Sequence, residues 1–147
     1  MAPRADGDLA VANRLVSGAV GRSLVQLSVG AANLDLSLTG QEPDAGFQLE
    51  GQVIFDPGSG LELRCEPYSI AALERLLPVL NHELVAASVQ EAGSLRLSLG
   101  GVTFQVEPSD RCDSWFYGGP SVAGDVTMSE GCIYCTAGGR LDIFTET

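Results

Sequence analysis

One histidine, four cysteines and nineteen carboxylates are the side chains through which this 147-residue chain could do chemistry. Nucleophilic catalysis needs a base beside a Ser or Cys, and His82 is the single histidine available. No Gly-x-Ser-x-Gly elbow is present. His82 lies in Asn81-His82-Glu83, where a helical stripe ends and a strand-like run begins, so it reads as a surface histidine favoured by a helix C-terminus. Metal hydrolase sites built on several histidines are excluded by the count. All eight bases are Arg, which removes Schiff-base and P-loop lysine chemistry. The glycines at 118, 119 and 124 follow no strand-turn-helix phosphate signature.

Cys132-Ile133-Tyr134-Cys135 has the spacing of half a zinc site, which Cys65 and Cys112 could complete. The pair lies inside a strand-like run, however. Residues three apart on a strand point to opposite faces, so they share a metal only across a bulge. The same argument counts against a redox motif, which opens a helix. Buried free thiols are the reading here, with zinc or a Cys65–Cys112 disulfide as alternatives. No cofactor, metal ligand or catalytic residue is assigned.

Paired carboxylates can do acid–base work without histidine. The one cluster that stands out is Asp110 and Asp113, near Trp115 and Tyr117, with Glu107 upstream. Set against a net charge of −11, Asp110, Asp113, Trp115 and Tyr117 read as a partner-binding set, with a solvated loop over a core Trp115 as the alternative. Such a surface repels DNA, RNA and anionic lipid, and it steers a basic partner inward.

These residues sit on a β-rich framework. Leu24-Val25-Gln26-Leu27-Ser28-Val29 and Leu34-Asp35-Leu36-Ser37-Leu38 recur as Leu84-Val85-Ala86-Ala87-Ser88-Val89 and Leu95-Arg96-Leu97-Ser98-Leu99. Each copy continues through Gly40 or Gly100 to Phe47-Gln48-Leu49-Glu50 or Phe104-Gln105-Val106-Glu107. Period-two alternation places the leucines on one face of half-buried antiparallel strands. Phe47 to Phe55 reads as one alternating run, followed by a turn at Asp56–Gly60 and a strand at Leu61–Cys65. Val126–Met128, Cys132–Thr136 and Leu141–Phe144 read as a three-stranded meander with turns at 129–131 and 137–139. Ser69 caps a helix over residues 70–80, which Pro78 ends or kinks. A second, weaker helix spans Asp8–Val16 with Asp8 as its cap.

The expected fold class is therefore α+β and β-rich, a duplicated antiparallel β-meander with one central helix and a short N-terminal one. Residues 1–147 form a single domain with flexible residues 1–7 and repeat halves at about 20–66 and 82–145. Leu36, Leu38, Leu97, Leu99, Phe55 and Phe104 should form its core. No apolar run approaches the roughly 20 residues that span a bilayer. Asp6, Asp8 and Arg14 interrupt what would be a signal-peptide core, so a cytoplasmic location is expected.

The run Phe104-Gln105-Val106-Glu107-Pro108, then Asp113-Ser114-Trp115, then Gly138-Gly139 and Leu141-Asp142-Ile143-Phe144 resembles a widespread family of small actinobacterial proteins. That pattern is a strand, an acidic-small-Trp motif, and a closing strand after a Gly-Gly turn. The resemblance covers roughly residues 18–144. Asp113 stands where Glu is common, and Cys132 and Cys135 depart from the usual penultimate strand. In size and charge the chain is also similar to immunity proteins of bacterial toxin systems.

The functional expectation is a small acidic, non-enzymatic binding protein of immunity or antitoxin type that neutralises a basic toxin. A structural or assembly subunit pairing through a sheet edge, with a homo-oligomer among its forms, is the alternative. A carboxylate-based enzyme is the third.

Overall fold

The computed structural model describes residues 6–40, 44–123 and 126–145. The expected flexibility of residues 1–7 falls largely on residues 1–5, which lie outside the described residues. Among the described residues, two α-helices, α1 (Asp6–Ser17) and α2 (Ile70–Leu76), accompany eleven strands in two antiparallel sheets. The protein is β-rich α+β.

The first sheet holds β1 (Ser23–Val29), β2 (Leu34–Thr39), β3 (Ala45–Leu49), β9 (Trp115–Ala123), β10 (Val126–Thr136) and β11 (Arg140–Thr145), in that order. The second runs β5 (Leu63–Cys65), β4 (Val53–Phe55), β8 (Val102–Val106), β7 (Leu95–Leu99) and β6 (Leu84–Val89). Their inward faces feed one buried cluster that includes Leu36, Leu38, Phe55, Leu97, Leu99 and Phe104. Alternation explains the membership: β2 and β7 each bury every second residue, all of them leucines.

Strand pairing differs from the sequence reading at two places. Phe47 to Phe55 is not one strand. The chain breaks at Glu50-Gly51-Gln52 and changes sheet, so β3 pairs with β9 while β4 pairs with β8. Likewise Ser129-Glu130-Gly131 is no turn; it lies within the continuous eleven-residue β10, paired along β9. In both cases the local pattern is period two on either side of small or polar residues. Only the partner strand determines whether such residues bend the chain or extend it.

The two three-stranded runs share their registers. Leu24 faces Leu38 and Leu84 faces Leu99, and each pair is followed by a one-residue shift that skips Val25 or Val85. Leu36 faces Phe47 where Leu97 faces Phe104. The sheets meet where Ser23 bridges Glu83: Leu24 N–H donates to His82 O at 3.0 Å and Leu84 N–H to Arg22 O at 2.8 Å.

Helix α1 packs against β6 and β9. Asn13 pins it there, donating to Val89 O at 3.0 Å and accepting from Val89 N–H at 2.8 Å. It starts before Asp8, which is therefore an internal residue and not its cap. Ser69 does cap α2, its hydroxyl accepting from Ala72 N–H at 3.2 Å. That helix is shorter than the expected 70–80, because Pro78 turns residues 77–79 into a 3-10 segment. Ile70 and Leu77 stay exposed, so the leucine stripe is only partly used by the core.

Candidate partner-binding surface

Glu50-Gly51-Gln52 and Glu107–Ser114 carry the chain from one sheet to the other, and they pass each other in contact. Glu50 N–H and Gly51 N–H donate to Ser114 O at 2.8 and 2.7 Å, and Glu107 N–H donates to Gln52 O at 2.9 Å. Gly51 is required there, since a Cβ would lie 2.5 Å from Glu107 O.

Beside this crossing lies a groove of about 520 Å³ bordered by Glu50, Arg64, Glu66, Glu107, Ser109 and Cys112. Three carboxylates and one guanidinium line it. Arg64 sits 4.0 Å from Glu107 and donates to Gln52 Oε1 at 3.3 Å. Glu107 is oriented from behind, its Oε2 accepting from Ser94 at 3.0 Å and Gln105 at 3.4 Å. Glu50, half-buried, has its carboxyl pushed above its ordinary value by burial, then by the charges of Asp113 and Asp35. An acidic surface thus runs from the groove across Glu50 to Asp35.

The four residues singled out in the sequence divide by environment. Asp110 and Asp113 are exposed on the loop before β9. Trp115 and Tyr117 are 1% and 0% exposed, so Trp115 takes the core alternative and neither ring is presented at the surface as a partner-binding residue. Trp115 donates its indole N–H to Gly93 O at 2.8 Å, and Tyr117 packs on Phe47 with ring centroids 4.9 Å apart. Burial pushes the Tyr117 hydroxyl well above its ordinary range, with Arg22 opposing the shift.

The surface aromatics are their neighbours of opposite parity. Phe116 packs at a tilt on Tyr134, ring centroids 4.6 Å apart, and Tyr134 meets Phe144 edge-on at 6.0 Å. Tyr134 and Phe144 are 40% and 57% exposed. In Trp115-Phe116-Tyr117 alternation guarantees that Phe116 opposes its two neighbours, but it does not say which parity faces the core. That was the available signal.

The cysteines are free thiols. Cys135 is fully buried and holds Gly93 O at 3.4 Å, while Cys132 lies on the other face of β10 opposite Gly118 and Phe144. Burial raises the thiols of Cys65 and Cys132, which keeps them protonated and weakly nucleophilic. Among the described residues, no three His, Cys, Asp or Glu side chains group to hold a metal. His82 is exposed at the junction of β1 and β6, remote in sequence from the acidic groove's residues and absent from its lining. Among the described residues, no helix is long and apolar enough to cross a membrane.

No family model matches the chain, and no curated protein or solved structure matches it.

Proposed function

We propose that this is a non-enzymatic binding protein that captures a basic protein partner on the acidic surface running from the groove through Glu50 to Asp35. The observation that carries this reading is Glu50 itself. It borders the groove with Glu66 and Glu107, and its charge is disfavoured first by burial and then by Asp113 and Asp35, which costs stability in the free protein. A cation from a partner offsets the like-charge part of that cost, which becomes a differential gain on binding. The net charge of −11 supplies long-range steering toward the same partner.

A partner of this kind, together with the small size, fits an immunity or antitoxin role in which a basic toxin is neutralised by carboxylates. The repeat halves are read as copies of one ancestral unit. Support comes from the matched registers of β1–β3 and β6–β8 and the reciprocal bonds at Ser23 and Glu83.

The test is capture from the native host by immobilised protein, comparing wild type with Glu50→Lys/Asp113→Lys. Basic proteins retained by the wild type, released by salt and lost with the variant are expected. An identical retained set for both proteins sinks the reading.

A further inference from the structure

We propose that the outer face of the six-stranded sheet holds an arginine side chain of a basic protein partner, in the slot between Phe116 and Asp35. This deepens the basic-partner reading and rests on it.

One register row crosses this face through Asp35, Gln48, Phe116, Tyr134 and Asp142, on five successive strands. The next row contains Ser37, Gly46, Gly118, Cys132 and Phe144. Gly46 and Gly118 face each other directly, so the sheet is bare at that point. The result is a slot of about 240 Å³ with Phe116 on one side and Asp35 and Gln48 on the other. The Phe116 ring leans over it, within 3.1 Å of where a Gly118 Cβ would stand. Strands lie about 4.8 Å apart, so Phe116 and Asp35 are roughly 10 Å apart at the backbone, within the span of one extended arginine.

A flat floor of peptide groups, an aromatic wall and a carboxylate end suit a guanidinium. That group is planar and weakly hydrated, stacks on rings, and pairs with carboxylates through a fork of donors. A lysine ammonium is strongly hydrated and gains less from the ring. The protein already holds one guanidinium in this way: Arg75 lies 5.5 Å from the Phe55 ring centroid and bonds Asp56 at 3.0 Å. The two ends of the aromatic row also differ. Asp142 has Arg140 at 3.6 Å, whereas Asp35 receives a hydrogen bond from the neutral Asn33 amide at 2.9 Å. The carboxylate beside the slot is therefore the end of the row whose hydrogen-bond donor is neutral, and the end that a guanidinium suits.

The experiment is amide NMR titration of the whole chain with tri-arginine and tri-lysine peptides of equal charge, at one ionic strength. The arginine peptide should bind about 3–10-fold tighter, with shifts centred on Gly46, Gln48 and Gly118. Phe116→Leu should bring arginine affinity down to the lysine level. Gly46→Thr should do the same by filling the slot, and a Cβ there meets only Leu36 O, at 3.4 Å. It keeps the test available if Phe116→Leu folds poorly by circular dichroism. Equal affinities, or shifts confined to the Glu50–Glu107 groove, overturn the slot and leave the basic-partner reading standing. Failure of both peptides to bind overturns both.

Discussion

Gly51 donates its backbone N–H to Ser114 O at 2.7 Å, joining two segments far apart in sequence at the point where each leaves one sheet for the other. Each strand that follows a crossing therefore extends the meander of the opposite half: β4 adds to β8, and β9 adds to β3. The acidic groove exists because these crossings bring Glu50 and Glu107 to one place.

Gly51→Ala should accordingly destabilise the fold. The new Cβ meets Glu107 O at 2.5 Å and Ser114 Cβ at 2.9 Å, and backbone at a crossing cannot yield cheaply. A loss of about 1–3 kcal/mol in urea denaturation is expected. Gly46→Ala, whose Cβ would touch only Leu36 O at 3.4 Å, is the control and should stay near wild type.

Glu50→Gln should stabilise the protein at neutral pH. The folded state binds the Glu50 proton more tightly than the unfolded chain does, so its stabilising contribution is present below the ordinary value of 4.5 and lost as pH rises through the raised one. The variant escapes that loss. Its urea midpoint should exceed wild type at pH 7, and the gap should close on acidification through that window. A gap independent of pH would remove the account of a carboxyl raised by burial and by Asp113 and Asp35.

Trp115→Ala should act on folding. It empties a fully buried site and leaves Gly93 O without its indole donor, for a cost of about 3–5 kcal/mol. Calorimetry or denaturant unfolding should register the whole effect. A variant as stable as wild type but slower to capture a basic partner would contradict the burial argument.

Thiol labelling should order the cysteines by environment. Cys112, exposed on the loop, should react first with an aromatic disulfide reagent at neutral pH. Cys65 and Cys132 should follow slowly and accelerate as pH rises toward their raised values. Cys135 should label only after unfolding. Mass spectrometry of timed digests reads this order directly.

Local patterning by itself determined the strands and their buried parity in β2 and β7, where leucine alternates with polar residues and only one face can turn inward. It also placed the Ser69 cap, because a side-chain acceptor ahead of an apolar stripe satisfies an orphan N–H locally. It could not choose inward faces where both parities are aromatic. The sequence therefore leaves Trp115 between core and interface, and the structure buries it with Tyr117 while Phe116 lines the outer face. Tertiary structure alone decided that Gly51 is a crossing and that residues 129–131 continue a strand. It also decided that Asp35, Glu50 and Asp113, spread over three segments, share one electrostatic field. Side-chain periodicity is a property of one strand. Sheet change and charge clustering depend on which distant strand supplies the hydrogen bonds, and that is settled only when the two halves pack.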